Sequence, residues 1–322
     1  VLILSLLLVA GLVGLVFGAD WFVRGAASLA VAVGVSPLVI GLTVVAYGTS
    51  MPELVVSGVA ALDGRSAIAL GNVIGSNIAN VGLILGLTAL LAPPTVDGTL
   101  QRRELPVFLA SALVVPLLLV DATVGRVEAL ALLVGAIAFT VVTARRQPAA
   151  SAMAGDAAAE PSASPPDANG RVGLLRASAL TIVGLALLLG GGRLFVNAAS
   201  ELATRAGISE RVIGITVVAV GTSLPELAAS AVAALRGLSS LAIGNVVGSN
   251  IFNVLFVLGG AGLIAPVRGE LALLRFDLGV MVGFSLAAAV LLRAPRRVPR
   301  VEGALLIVGY MAAMYALTIG MR

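Results

Sequence analysis

Gly41-Leu42-Thr43-Val44-Val45-Ala46-Tyr47-Gly48-Thr49-Ser50-Met51-Pro52-Glu53-Leu54 returns 173 residues later as Gly214-Ile215-Thr216-Val217-Val218-Ala219-Val220-Gly221-Thr222-Ser223-Leu224-Pro225-Glu226-Leu227, with three substitutions in fourteen positions. At the same shift Gly71-Asn72-Val73-Ile74-Gly75-Ser76-Asn77-Ile78-Ala79-Asn80 meets Gly244-Asn245-Val246-Val247-Gly248-Ser249-Asn250-Ile251-Phe252-Asn253, and two of ten positions differ. Chance similarity of Ala/Val/Leu-rich helices would not hold Pro, Glu, Asn and Thr in register across both runs without a gap. The chain is therefore read as an internal duplication, the feature to settle before any other fold assignment.

The surroundings of these runs name the solvent. Hydrophobic residues make up 59% of the 322 positions and charged ones 11%, with a mean hydropathy of +1.11, far from soluble-domain composition. Spanning helices need about 20 mostly apolar residues, and lipid-facing barrel strands would alternate polar with apolar residues. Apolar runs at 2–18, 36–62, 67–92, 105–120, 127–144, 174–192, 212–235, 238–267, 278–292 and 303–321 do not alternate. They predict an all-α integral membrane protein of ten transmembrane helices, the first extending as a long tilted helix through Asp20, Trp21, Phe22 and Arg24. Val1–Phe17 lacks a basic leader and reads as the first span rather than a cleavable signal.

Five spans per half is an odd number, so the second copy must start from the opposite face of the membrane. The expected plan is two inverted five-helix repeats, 1–144 and 174–322, joined by a flexible linker at 145–173 rich in Ala, Ser and Pro. Twelve Arg fall on the connections after odd-numbered spans and seven on the opposite side. That bias puts the linker in the cytoplasm and both termini outside, and the Lys-free, Ala-rich composition points to a prokaryotic plasma (inner) membrane. The Arg residues are scattered among short loops, so nucleic acid is not an expected partner. Membrane lipid and inorganic cations are, and a monomer is expected. With no Cys, neither a disulfide framework nor a thiolate metal site is available.

Glu53 and Glu226 are the carboxylates that lie well inside apolar runs, without an Arg in either run to pair them. An acid at membrane depth is costly and marks function by default. Each follows a proline, Pro52 or Pro225, which cannot donate to the carbonyl four residues earlier, at Gly48 or Gly221. A helix break there offers freed carbonyls beside the hydroxyls of Thr49, Ser50, Thr222 and Ser223, a hard-oxygen set suited to Ca²⁺ or Na⁺. Gly71, Gly75, Gly244 and Gly248, at small-xxx-small spacing, would let the following helix approach the Glu-bearing one. Ser76 with Asn80, and Ser249 with Asn253, stand at i and i+4 on one helix face that could complete an oxygen cage. Asn72, Asn77, Asn245 and Asn250 are read as helix–helix contacts.

The doubled Gly-Thr-Ser-x-Pro-Glu and Gly-Asn-x-x-Gly-Ser-Asn-Ile-x-Asn motifs resemble the alpha repeats of the sodium/calcium exchanger family, within the cation/calcium exchanger superfamily. The resemblance implies Glu53 and Glu226 as principal Ca²⁺ ligands. It adds Thr49, Ser50, Thr222, Ser223, the carbonyls of Ala46 and Ala219, Ser76, Ser249, Asn80 and the position of Asn253. It also implies alternating access, with the first and sixth helices sliding across a fixed core, and a transporter rather than an enzyme. Many members carry Asp where this chain has Asn253, which leaves two acids. Their charge of about −2 matches one Ca²⁺ or two monovalent ions, so Na⁺ and H⁺ both stay open as counter-ions. Those ions are cargo, and no resident cofactor is expected. A passive channel suits duplicated half-sites less well than alternation. A hydrolase would need a nucleophile and base that a chain without His or Cys does not obviously supply.

Overall fold

The computed structural model describes residues 2–96, 98–145, 170–207, 219–293 and 297–320. Helix dominates it: α1 (Leu2–Val33), α2 (Pro37–Thr49), α3 (Met51–Leu62), α4 (Ser66–Leu91), α5 (Gly98–Leu118) and α6 (Arg126–Arg145) in the first half. The second half holds α7 (Gly170–Arg205), α8 (Ala219–Thr222), α9 (Leu224–Leu235), α10 (Ser239–Ile264), α11 (Leu271–Leu291) and α12 (Arg300–Gly320). The bounds of α3, α4 and α5 recur 173 residues later in α9, α10 and α11. Among the described residues seven helices are long and apolar enough to cross a membrane, or eight if the bent pair α2–α3 is one span.

Local chemistry sets the ends of these helices. Ser36 caps α2 by accepting from the Val39 amide at 3.3 Å, with Pro37 pre-set for the first turn. Gly64 and Gly237 end α3 and α9 at φ +71° and +75°, a conformation that costs other residues. Beside them the Arg65 amide reaches Ala60 O at 2.7 Å and the Leu238 amide reaches Ala233 O at 2.8 Å, closing equivalent helix ends.

Three expectations change. The fourth and ninth spans were expected from 105 and 278, but α5 and α11 begin at Gly98 and Leu271. Glu104 and Asp277 therefore also lie within helices, because a spanning helix starts with polar turns that hydropathy assigns to a loop. The linker expected over 145–173 is shorter at both ends, since Arg145 closes α6 and α7 begins at Gly170. Positions 146–169 fall outside the described residues, as do 208–218, which include Gly214 to Val218 of the second motif.

Burial shows which helices are central. The apolar windows of α4 and α10 are 78% and 89% buried, against 17–28% for the five other single helices long enough to span, so the two Ser/Asn helices form the middle, with the buried α2 packed against α10. Residues of both halves share each core: Leu42 and Ala46 pack with Ile243, Val247 and Phe252, and Ile74 and Ile78 with Val254, Leu258 and Met281. Two-stranded pairing of Thr123–Val124 with Val267–Arg268 ties the loops at one end, and a Thr95–Arg297 bridge ties those at the other.

The third close contact joins α1 to α7. A β-carbon on Gly11 would stand 2.5 Å from Phe195 N, and one on Gly191 2.5 Å from Leu15 N, while Gly18 abuts Leu188 and Gly25 abuts Thr181. The partner number falls as the first rises, so the helices run antiparallel and meet backbone to backbone.

Candidate functional site

The chain bends by 43° between α2 and α3, and Ser50 at the bend leaves helical geometry (φ −82°, ψ 5°). Ser223 does the same before α9 (φ −90°, ψ 5°). Pro52 and Pro225 sit in the first turn after each break, where a missing N–H costs least. Glu53 and Glu226 follow directly, so both carboxylates arise in the first turn of a helix that begins inside the protein.

The two half-sites meet. Glu53 is 0% and Glu226 2% exposed, and the residues just before Glu53 lie against Glu226. Ser50 Oγ donates across the halves to Glu226 Oε1 at 3.4 Å, and Thr49 also faces that carboxylate. Ser223 faces Glu53 from the other half. Both oxygens of Glu53, Oε2 of Glu226, Oγ of Ser223 and both amide atoms of Asn80 are buried without a hydrogen-bond partner, as is Oδ1 of Asn253. Buried unpaired carboxylates are unfavourable by several kcal/mol, on the order of what cation ligation offsets.

Asparagines of the central helices fix the backbone around each acid. Asn72 Nδ2 donates to Glu53 O at 3.1 Å and to Ser57 Oγ at 2.9 Å. Asn245 Nδ2 repeats this with Glu226 O at 3.3 Å and Ser230 Oγ at 2.9 Å. Asn245 Oδ1 also accepts from Thr49 Oγ1 at 3.3 Å and Ser249 Oγ at 3.5 Å, so this residue, expected only as a helix–helix contact, belongs to the network of the site. Asn77 Oδ1 likewise accepts from Asn253 Nδ2 at 3.3 Å. The identity of Ser57 and Ser230 under the shift was the available sign of the asparagine clamps.

Other expected residues fall around this pair. Ala46 O accepts from the Ser50 amide at 3.1 Å and from Thr49 Oγ1 at 3.5 Å. Ser76 and Ser249 are buried on the central helices, Thr222 is half-buried, and Ala219 opens α8. Asn80 and Asn253 each begin a π-helical stretch, Asn80–Leu85 and Asn253–Leu258. Such widened turns are frequent at functional sites and were not legible beforehand. Gly244 and Gly248 do allow close approach, but to Leu38, Gly41 and Leu42 of α2 rather than to the Glu-bearing helix of their own half. The residues at the positions equivalent to Leu38, Gly41 and Leu42, numbers 211, 214 and 215, lie outside the described residues.

Among the described residues no group of three or more acidic, His or Cys side chains gathers that could hold a metal. The donors are two carboxylates, hydroxyls and amides, a set that suits hard cations at modest charge.

Comparison with known proteins gives the same direction. The family model described as sodium/calcium exchanger protein matches residues 3–145 and again 177–319. The putative antiporter CaxA of Alkalimonas amylolytica is 39% identical over 322 residues, covering 98% of this chain and 99% of that protein. The sodium/calcium exchanger MaX1 of Methanosarcina acetivorans is 34% identical, covering 97% of each. Among solved structures, the sodium-calcium exchanger NCX_Mj soaked with 2.5 mM Na⁺ and 0.1 mM Ca²⁺ superposes with a TM-score of 0.84 at 33% identity, over 98% of this chain and 99% of that one.

Proposed function

The chain belongs to the sodium/calcium exchanger protein family, and from that membership we propose that it is a secondary active antiporter exchanging Ca²⁺ for Na⁺ by alternating access. The ions would bind between Glu53 and Glu226, assisted by Thr49, Ser50, Thr222, Ser223, Ser76, Ser249, Asn80, Asn253 and the carbonyls of Ala46 and Ala219. The observation that carries this reading is the meeting of two buried carboxylates from different halves, with acceptor oxygens left over and a hydroxyl of one half bonded to the acid of the other. Two negative charges are neutralised by one Ca²⁺ or by two Na⁺, so the cargoes exclude one another.

The proposed architecture is ten transmembrane helices in two inverted five-helix repeats, 1–144 and 174–322. Antiparallel packing of α1 on α7, the recurrence of helix bounds at the 173-residue shift and the doubled family match support it. We assign the linker to the cytoplasm of a prokaryotic plasma membrane, the termini to the outside, and the working unit to a monomer in lipid.

Exchange of Ca²⁺ for H⁺ is the second reading, favoured by Asn253, a buried amide where the family resemblance implies a third acid in many members. Uptake of ⁴⁵Ca²⁺ by protein in liposomes separates the two. Uptake that needs internal Na⁺ establishes the first, uptake driven by a pH gradient alone establishes the second, and uptake under neither overturns both.

A further inference from the structure

The 173-residue shift carries Asp20 onto Arg193 and Arg236 onto Asp63, so one acid–base pair joining the halves returns with its charges exchanged. The two pairs are in different conditions. Asp20 Oδ1 accepts from Arg236 Nε at 2.7 Å and also from Nη2, Oδ2 takes Arg24 at 3.1 Å, and the Asp20 and Arg236 side chains are 21% and 23% exposed. Arg193 and Asp63 are both exposed, and neither is in an ion pair among the described residues.

Packing around the pairs differs in the same sense. α1 lies on α9, where Ala229 and Ala233 are buried in one cluster with Phe22 and Ala26. The equivalent stretch of α3 is more open: Val55, Val56 and Val59 are 62%, 36% and 51% exposed, whereas their counterparts Ala228 and Val232 are half-buried and Ala229 is buried, while Ala60 is buried like its counterpart Ala233. A cavity of about 300 Å³ opens there beside Asp63. The asparagine clamps on Glu53 and Glu226 keep the repeat faithfully, so the two halves are alike at the acids and unlike at these outer contacts.

We propose that Asp63 and Arg193 form an ion pair in the other state of the transport cycle, and that Asp20–Arg236 opens in that state. The two pairs are then alternating positioning contacts, one holding α1 against α9 and the other α7 against α3. The inference rests on the alternating-access reading above. Exchanged charges disfavour the wrong mate: Asp20 would meet a like charge at Asp63, and Arg193 a like charge at Arg236.

The 322-residue sequence has no Cys, so introduced thiols report cleanly. In liposomes, D63C/R193C and D20C/R236C are each expected to form an internal disulfide on oxidation, read by loss of maleimide labelling. The four-cysteine variant is expected to form one or the other in each molecule, never both. Asp20→Asn in the D63C/R193C background is expected to speed that cross-link by about two- to fivefold, the scale of a partly exposed ion pair. Charge exchange supplies a second route: Asp63→Arg alone slows Ca²⁺ exchange, and Asp63→Arg with Arg193→Asp restores it. The proposal is overturned if protein that exchanges Ca²⁺ never forms the 63–193 disulfide, if both disulfides form in one molecule, or if the charge exchange fails to rescue. Cross-linking is read without transport, so alternating disulfides in protein that moves no Ca²⁺ would leave these contacts standing and strike the proposed cargo instead.

Discussion

Ser50 stands three residues before Glu53 and yet bonds Glu226, donating from Oγ to Oε1 at 3.4 Å. The hydroxyl beside one acid therefore serves the other, and the half-sites are interlocked rather than merely adjacent. Ser50→Ala removes this donor without a change of backbone class. Hydrogen bonds to charged groups contribute about 1.5–3 kcal/mol, and at this length the lower end applies. Half-saturation for Ca²⁺ is expected to rise about tenfold with the maximal rate little changed, as read from uptake against Ca²⁺ concentration.

Glu53→Gln and Glu226→Gln keep side-chain volume and remove charge. Each is expected to abolish ⁴⁵Ca²⁺ uptake, and fully active double-variant protein would sink the proposed site. Thermal melting of detergent-solubilised protein should show no loss of stability and a gain in cation-free buffer, because two buried like charges no longer have to be desolvated together.

Asn245 and Asn72 make the same clamp, but Asn245 alone also accepts from Thr49 and Ser249. Asn245→Ala is thus expected to lower the melting temperature more than Asn72→Ala. Each buried hydrogen bond contributes about 1 kcal/mol, so the difference should approach 2 kcal/mol. Equal shifts would mean that neither the Thr49 nor the Ser249 contact contributes.

Neighbouring glycines of α7 should behave oppositely. A β-carbon on Gly191 meets Leu15 N at 2.5 Å, whereas one on Gly190 meets nothing within 4 Å. Gly191→Ala should force the helices apart at a cost of about 1–3 kcal/mol, while Gly190→Ala should stabilise by about 0.5–1 kcal/mol. Melting curves of the two variants, with uptake rates alongside, check both signs.

The repeat, the acid pair and the proline breaks were legible because Pro, Glu and Asn are rare in an apolar chain, and each carries a definite physical consequence there. The starts of α5 and α11 were not, since Gln101, Arg102, Arg103 and Glu104 read as loop until their place in a helix is seen. Asn245 was underestimated for another reason. Sequence periodicity gives the face of a helix on which a residue lies but not the helix that packs against it, and Thr49 approaches Asn245 from the other half. The same gap misdirected Gly244 and Gly248, whose spacing announced a close neighbour without naming α2.

The glycine seam between α1 and α7 has a mechanical meaning. Backbones that touch at Gly11, Gly18, Gly25 and Gly191 leave no room for one helix to shift sideways without the other. On the proposed cycle the pair would move as a single lever, leaning toward α9 at one end as it leans away from α3 at the other. On the alternating-access reading proposed above, exposure of the acids to both sides at once would require the lever to split, and the seam that joins the halves would then guard an ion gradient against an uncoupled leak.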